Sequence, residues 1–400
     1  MLNELYMKSP RFLQDLGITL YGLKTYRDRF LGPIPLPYQN LPDPFSKPDK
    51  SRYMAQAMRL QDLLKHCAQY VPHYREILRG LDVSAITPHN LSEYIPVIKK
   101  EDLLRNPERF ISEKWGKKNL SRSSTTGSSG TPLEIFSTSE ARRLNYRYYD
   151  SVLRQLGSCY RDRSTTLAGR VLYRKDCECP ARYDRFNRTQ YLSVYNISSR
   201  TIRSYISALN SWKPIFIDSH PSALFEIQYL AEKEDLALTF SPRFILTSSE
   251  TLTDDIKRSA EKFFSAPIID HYGCAEMAIS AFSRGGSYYV DPAFSVVELK
   301  PEGGDIYSLI TTGLLNYGMP LLRYDIGDSV RSVGGVGSYT FEAIEGRSDD
   351  IIVTPEGRMV GRMSPAFKGI RNLALTQVIQ ERVDLLSINV VLNKIDPKDF

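Results

Sequence analysis

The chain has 400 residues, of which 42% are hydrophobic and 24% charged, a balance typical of a globular protein with a sizeable buried core. Its formal net charge of +6 comes from dispersed Arg and Lys residues rather than from a run of like charges. This pattern excludes a clustered basic face for nucleic acid and favours small anionic ligands instead.

The five cysteines are few and odd in number, which favours a reduced protein of the cytoplasm. Cys177 and Cys179 have side chains that can ligate a metal, but no second pair accompanies them. No apolar run approaches the ~20 residues of a membrane span. Asp15 and Gly17 lie where a signal peptide would have its apolar core. We therefore expect a cytoplasmic protein without a transmembrane segment.

The first 120 residues are predicted to be mainly helical. Leucines and tyrosines recur at helical spacing over 1–30, and a proline-rich stretch over 33–48 then predicts an irregular connection. Ser51 is interpreted as the cap of a long helix that ends at Val71, before Pro72. A further helix is predicted after Lys99. We interpret this region as scaffold.

From residue 131 onward, strand and helix patterns alternate, which predicts an α/β fold with helices covering a sheet. Ligands in such folds bind where loops leave the strand ends. Shorter alternating strands after about residue 285 predict an antiparallel subdomain. The predicted strands of the first part are 133–136, 165–173, 214–217, 244–247 and 268–271, and the predicted helices are 139–156, 199–210, 221–232 and 253–264.

A run of small and hydroxyl-bearing residues precedes the first of these strands, over 123–133. Close-approaching backbone N–H groups and hydroxyls suit phosphate oxygens. The run lacks the Gly-Lys-Ser/Thr ending of a P-loop, and alone it is equally typical of a flexible linker. The candidate phosphate-binding residues are Thr125, Thr126, Gly127, Ser128, Ser129 and Gly130.

Two further motifs follow predicted strands. In the first, Ser248, Ser249 and Glu250 could meet a base or sugar, although a helix cap is an equal alternative. In the second, over 270–276, Tyr272 is an aromatic able to stack on a base, and Glu276 is a carboxylate suited to Mg²⁺. A simple strand-to-helix turn is the alternative for this motif.

Two motifs come later in the chain. The run 323–328 ends at Asp328, whose carboxylate can accept hydrogen bonds from ribose hydroxyls, against the alternative of a turn with a solvated Asp. The run 346–350, Gly-Arg-Ser-Asp-Asp, would by itself be assigned to an exposed loop. Each of these signals is weak when it is taken alone.

Together, in this order and at these separations, the motifs resemble those of the adenylate-forming ligases, the superfamily of acyl-CoA synthetases, peptide-synthetase adenylation domains and luciferases. Within it, the chain is similar to the phenylacetate–CoA ligase branch, especially to relatives associated with capsular polysaccharide biosynthesis. The motifs that carry the resemblance are STTGSSGTPL, TSSETL, YGCAE, PLLRYDIGD and GRSDD. The likeness extends over essentially the whole chain.

The resemblance implies a large N-terminal α/β domain over 1–346, made of stacked sheets flanked by helices with an antiparallel β subdomain and a helical extension over 1–120. A short, truncated α+β lid over 347–400 would follow, with Asp349 as the hinge. Only 50 residues follow Asp350, and neither Lys394 nor Lys398 lies in a recognisable version of the family's lid lysine motif. The segment 377–391 resembles the first strands of that lid.

The resemblance also implies a reaction in which ATP, Mg²⁺ and a carboxylic acid form an acyl adenylate and pyrophosphate. Thr126, Glu276 and Arg347 would be catalytic, with Glu276 as the Mg²⁺ ligand. The acyl group would then pass to coenzyme A, a carrier protein or an amine. The remaining nucleotide-binding residues would be Thr125 to Gly130, Ser248, Ser249, Glu250, Tyr272, Gly273, Asp328 and Arg347.

The substrate pocket is predicted to lie around His220, His271 and Ala275. Ala275, Met277 and Ala278 favour an apolar wall and hence an aromatic or other hydrophobic acid. A lone histidine beside a strand end is more often structural than a ligand-binding group. The truncated lid supports an alternative, in which a non-catalytic ATP-binding relative acts as a scaffold subunit in polysaccharide or secondary-metabolite biosynthesis. The oligomeric state is not predicted.

Overall fold

A computed structural model describes residues 6–33, 45, 48–124, 132–172, 180–335, 337–344, 352–355, 359–360 and 373–392. The α-helices, named in chain order, are α1 (Arg11–Phe30), α2 (Lys50–Tyr70), α3 (Pro72–Ile77), α4 (Leu91–Tyr94), α5 (Lys100–Arg105), α6 (Ser139–Gln155), α7 (Ile202–Trp212), α8 (Pro221–Lys233) and α9 (Asp254–Phe264). None of these helices combines the length and the apolar character that crossing a bilayer requires.

The strands fall into five sheets. In chain order they are β1 (Ser121–Ser124), β2 (Glu134–Ser137), β3 (Ser164–Ala168), β4 (Ala181–Asp184), β5 (Thr189–Ser193), β6 (Phe216–Ser219), β7 (Phe244–Ser248), β8 (Ile268–Gly273), β9 (Ser280–Arg284), β10 (Ser287–Val290), β11 (Ser295–Gly303), β12 (Ile306–Gly313), β13 (Tyr324–Arg331), β14 (Thr340–Phe341), β15 (Ala343–Ile344), β16 (Ile352–Val353), β17 (Met359–Val360), β18 (Leu373–Arg382) and β19 (Leu385–Leu392).

The largest sheet has nine strands in the order β14-β10-β9-β8-β7-β6-β3-β5-β4. Its middle, from β8 to β5, is parallel, and both margins are antiparallel. One face packs on α7, α8 and α9 through residues such as Ile217 and Ile245. The other face packs on α6 through residues such as Phe216 and Leu246. Burial of both faces explains why the central strands are predominantly apolar.

Local capping fixes where the helices that cover this sheet begin. Thr138 Oγ1 accepts a hydrogen bond from the backbone N–H of Ala141 at the start of α6, at 3.0 Å. Thr253 caps α9 in the same way, and two aspartates in the first turn of α9 complement the helix dipole. The long helix α2 is capped by Asp49 and not, as predicted, by Ser51, whose hydroxyl instead donates to the Asp49 carboxylate.

A four-stranded antiparallel sheet, in the order β11-β12-β13-β15, forms the predicted antiparallel subdomain. Its apolar side chains share one core with the N-terminal helices, including Leu60 and Leu64 of α2. Ile98 also forms a backbone bridge to Tyr324, because the Ile98 N–H donates to Arg323 and the Ile98 carbonyl accepts from Asp325. The N-terminal region is therefore built into the core of this sheet.

The α/β class with an antiparallel part is confirmed, and two details differ from the prediction. β4 and β5 form a hairpin that was not predicted. The run that ends at Asp328 lies inside β13 rather than in a turn, with Gly327 at a positive φ of 80°. The segment 377–391 forms the hairpin of β18 and β19, as its resemblance to lid strands implied.

Candidate active site

The candidate site lies at the carboxyl ends of three neighbouring parallel strands, β6, β7 and β8. Because these strands run in the same direction, the segments that follow them meet at one edge of the sheet. His220 follows β6, Ser248 ends β7, and Tyr272 lies near the end of β8. The structure therefore brings together three motifs whose residues are 24 to 52 positions apart in the chain.

The strand β13 reaches the same edge and contributes Asp328. The Tyr272 hydroxyl donates a hydrogen bond to Asp328 Oδ2 at 2.7 Å, which joins the YGCAE motif to the RYDIGD motif. Burial and the neighbouring Asp328 carboxylate raise the pKa of Tyr272 well above its ordinary value, so the phenol remains a donor. The two side chains predicted to meet adenine and ribose are thus adjacent.

A second hydrogen bond joins the same two motifs. The hydroxyl of Tyr324, a fully buried residue of β13, donates to Glu276 Oε1 at 3.3 Å. Glu276 is only 9% exposed, and its carboxylate keeps acceptor sites that no described residue fills. A buried carboxylate is usually paired with a cation or a hydrogen-bond donor. The Glu276 carboxylate is therefore suited to bind a cation or a donor group of a ligand.

The loop that carries Glu276 lies directly on Gly313, at the end of β12. A Cβ atom at Gly313 would lie 2.6 Å from the Met277 carbonyl oxygen and 3.0 Å from Ala278 Cα. Such distances are sterically forbidden, so the close approach of two backbones requires glycine here. Met277 itself has a positive φ of 55°. The sequence offered no signal for the role of Gly313, because its contacts are with a distant loop.

The segment after β7 is held mainly by backbone contacts. His220 Nδ1 lies 3.2 Å from the Ser248 carbonyl oxygen, which ties the ends of β6 and β7 together. Glu250 Oε2 accepts a hydrogen bond at 3.0 Å from the backbone N–H of Ser222, in the first turn of α8. Glu250 therefore satisfies a free N–H group at a helix start, a structural contact. Ser249 is exposed and has a positive φ of 72°.

His271 faces the α6 side of the sheet. Its ring stacks on Phe282 at 4.2 Å between centroids, and Nε2 lies 3.0 Å from Ser280 Oγ. Burial lowers the pKa of His271 to about 4, so the imidazole is neutral at pH 7. A neutral ring cannot supply a positive charge for a substrate carboxylate. These contacts favour a packing role for His271.

The lowered pKa of His271 predicts a loss of stability in mild acid. The unfolded chain binds a proton near pH 6.5 and the folded protein only near pH 4, so stability falls as the pH drops below 6.5. From pH 6.5 to 5, we expect His271 to account for a loss of about 2 kcal/mol in the free energy of unfolding. Urea titrations of wild type and His271→Gln at both pH values measure this difference. Parallel losses in both proteins would contradict it.

One buried group at this edge, Asp270, was given no role from the sequence. Asp270 accepts hydrogen bonds from Thr247 Oγ1 at 2.5 Å and from the Tyr288 hydroxyl at 2.6 Å, which joins β7, β8 and β10. Burial raises the pKa of Asp270 despite these donors. Both carboxylate oxygens of Asp270 therefore accept hydrogen bonds within the protein. Asp270 joins neighbouring strands and does not act as a free carboxylate.

The three residues of the predicted apolar wall do not line one surface in the structure. Ala275 is exposed, whereas Ala278 is 1% exposed and belongs to the main core. Met277 is also buried. Ala278 therefore packs inside the protein and cannot form the wall of an open pocket.

Part of the predicted site lies outside the described residues, namely residues 125–130, Arg347 and Asp349. The hairpin of β1 and β2 flanks 125–130, with Ser124 opposite Glu134. Within the described ranges there is no group of three or more His, Cys, Asp and Glu side chains able to hold a metal ion. Mg²⁺ commonly takes one or two carboxylates together with phosphate oxygens and water, and Glu276 fits the role of such a single ligand.

Elsewhere, a shallow groove of about 400 Å³ lies beside β4 and α7 and is lined by residues such as Tyr183, Arg203 and Ser207. It contains none of the predicted site residues. The chemistry of this protein is better sought at the strand ends, where buried carboxylates and phenols converge.

Comparisons with known proteins bear on the fold that carries this site. No family model matches the chain. Protein CapK of Staphylococcus aureus is 25% identical over 407 residues, which cover 98% of this chain and 89% of CapK.

Among solved structures, 2-hydroxyisobutyryl-CoA ligase with 2-HIB-AMP and CoA, in its thioesterification state, matches with a TM-score of 0.60 and 17% identity. That match covers 89% of this chain and 84% of the ligase. The open conformation of the ligase matches with a TM-score of 0.57, also at 17% identity, over 89% of this chain and 86% of the ligase. The resemblance found in the sequence motifs is thus confirmed at the level of architecture: the chain has the fold of the adenylate-forming ligases.

Proposed function

We propose that this protein is an adenylate-forming ligase that activates a carboxylic acid with ATP. A carboxylate oxygen of the acid would attack the α-phosphorus of ATP, and the bond from that phosphorus to pyrophosphate would break. The observation that carries the proposal is the pair of hydrogen bonds, Tyr272 to Asp328 and Tyr324 to Glu276, that unites two motifs at one edge of the sheet. A solved ligase with this fold holds an acyl-AMP and CoA.

The chain's own residues would act mainly by positioning and by balancing charge, because both reacting groups are anionic. Asp328 would accept hydrogen bonds from the ribose hydroxyls, and Tyr272 would contact adenine while it holds Asp328 in place. Ser248 and Ser249 would border the base. Residues 125–130, which lie between β1 and β2 in the sequence, would hold the β- and γ-phosphates, with Thr126 donating from its hydroxyl.

Glu276 and Arg347 would complete the charge balance at the phosphates. Glu276 would hold Mg²⁺, which when bound neutralises phosphate charge. Arg347 would reach the ribose or a phosphate oxygen.

We further propose two units, a large one over 1–346 and a small lid over 347–400 that rotates about Asp349. The acyl group would pass to a thiol, of coenzyme A or of a carrier protein, or to an amine. A role in capsular polysaccharide biosynthesis and the phenylacetate–CoA ligase type of chemistry follow from the motif resemblance. The similarity to CapK over nearly the whole chain supports the same relationship.

Acid-dependent pyrophosphate release from ATP and Mg²⁺ tests this function. A panel of aryl, fatty, hydroxy and amino acids should contain one class that drives release, and Asp328→Asn should weaken ATP binding about tenfold by removing a charged hydrogen-bond acceptor. Asp235→Asn, an exposed aspartate after α8, is the matched control. Tight ATP binding without release for any acid would favour the non-catalytic scaffold instead.

A further inference from the structure

A group of polar side chains, which we call the recess, lies beside the candidate site where α6 covers the large sheet. Its floor includes Asp218 of β6, which stands in register between Thr166 of β3 and Leu246 of β7. The Asp218 side chain lies on the face covered by α6 and is half-buried. It accepts no hydrogen bond from the residues that the structure describes. Asp270 on β8, two strands away from β6, instead accepts a hydrogen bond on each of its carboxylate oxygens.

Four tyrosines lie on the same side of the sheet as Asp218. Tyr146 and Tyr149 come from α6, Tyr160 follows that helix, and Tyr191 lies on β5 in register with Thr166. All four are half-buried. Burial and the nearby Asp218 carboxylate raise the pKa of Tyr149 well above its ordinary value. Within the described part of the chain, the Tyr149 hydroxyl also has no hydrogen-bond partner.

Two guanidinium groups give the recess a positive balance. Arg29 of α1 donates from Nη1 to the Tyr160 hydroxyl at 2.5 Å and lies 4.0 Å from the Tyr146 ring centre. Arg170, just after β3, lies 5.0 Å from the ring centre of Tyr191. Arg170 lies near Asp218, and Arg29 lies among the phenols, so two permanent positive charges outweigh the single carboxylate and favour an anionic ligand such as a carboxylic acid.

The recess is continuous with the candidate active site. Tyr149 lies 6.3 Å from His271 between ring centres, and His271 is only one residue before Tyr272. Asp218 is two residues before His220, whose charge and that of Arg170 partly offset the rise that burial causes in the Asp218 pKa. The half-buried groups Thr166, Asp218 and Ser248 line the same sheet edge.

We propose that this recess is the acyl subsite of the adenylation site and that it selects a hydroxylated carboxylic acid, whose hydroxyl group hydrogen-bonds Asp218 and Tyr149. The inference rests on the proposed function and gives it a substrate class. It replaces the aromatic or hydrophobic acid predicted from Ala275, Met277 and Ala278. A purely apolar acid would cover Asp218 and Tyr149 and leave both without partners, and sites of this kind strongly reject the analogue that lacks the hydroxyl.

The test compares pairs of acids that differ by one hydroxyl group, lactate with propionate and mandelate with phenylacetate. In at least one pair, the hydroxylated member should give a kcat/KM for pyrophosphate release at least about 100-fold higher. In Asp218→Leu and Tyr149→Phe this ratio should collapse towards one, while turnover of the apolar member and the KM for ATP are retained. The apolar acid is the internal control for folding, and Tyr229→Phe, an exposed phenol of α8, is the matched control.

The outcomes separate the two proposals. Preference for the apolar acids in wild type, or an unchanged ratio in Asp218→Leu, overturns the assignment of the recess and leaves adenylation standing. If no acid drives pyrophosphate release, the proposed adenylation fails. Calorimetric binding of lactate and mandelate then tests whether the recess binds a hydroxylated acid. Binding that is at least about tenfold weaker in Asp218→Leu supports the assignment, and no binding to wild type overturns it.

Discussion

Replacing Glu276 by glutamine is expected to lower acid-dependent pyrophosphate release by about 10²–10³-fold, equivalent to about 3–4 kcal/mol of transition-state stabilisation. The substitution keeps the size of the side chain and removes its charge. Glu276 is 9% exposed, and only Tyr324 donates to it among the described residues. In the proposed site this buried carboxylate would hold Mg²⁺ beside the phosphates, a role that a neutral amide cannot replace.

Steady-state turnover at several Mg²⁺ concentrations measures this effect, and the variant should also require more Mg²⁺. Glu232→Gln, an exposed glutamate of α8, is the matched control and should retain wild-type turnover. Tyr324→Phe should cost only about fivefold, because it removes one hydrogen bond worth about 1 kcal/mol. Wild-type activity in Glu276→Gln would exclude Glu276 as the metal ligand.

Replacing Arg323 by methionine is expected to destabilise the protein by about 2–4 kcal/mol, because it leaves the half-buried Glu298 carboxylate without its partner. The Arg323 guanidinium donates from Nε to both Glu298 oxygens at 2.9 Å and from Nη1 to the Ile95 carbonyl at 2.6 Å. The two side chains are only 12% and 22% exposed. Arg323 thus holds β11, β13 and the N-terminal region together.

Urea denaturation at neutral pH measures the loss. The double variant Arg323→Met/Glu298→Met should recover most of it, because no unpaired charge remains. Arg258→Met provides the exposed comparison, since the ion pair with Asp255 has side chains 74% and 87% exposed and should contribute at most about 1 kcal/mol. A loss below about 1 kcal/mol in Arg323→Met would show that the pair is not structurally important.

The parts of the fold that could be predicted are those whose local sequence is decisive. The strands β7 and β8 are short apolar runs. The helix α8 begins at Pro221, and α9 begins at Asp254 after its cap Thr253, so the bounds of these elements follow from pattern and capping. The β4–β5 hairpin could not be found in this way. Its buried Arg182 is paired with Gln14 of α1, from Nε to Oε1 at 2.5 Å, so a polar side chain occupies a core position.

The same limit applies to the candidate site. The sequence indicated Tyr272 and Glu276 in one motif and Asp328 in another, because their residue types suit a base, a metal and a ribose. Their pairing depends on how β13 packs against the end of β8, over separations of 48 and 56 residues. Asp218 was missed because an aspartate at a strand end is unremarkable until its burial and its phenol neighbours are known.

The bridge between Ile98 and Tyr324 has a consequence for how this protein could be divided or reused. A fragment that starts at the phosphate loop would retain every predicted catalytic motif but would lose Ile98 and the α2 side chains that share a core with β11–β13. Its edge along β13 would then expose unpaired backbone groups next to Asp328. The predicted catalytic motifs therefore cannot be moved to another protein without the N-terminal region, because that region shares a core with β11–β13.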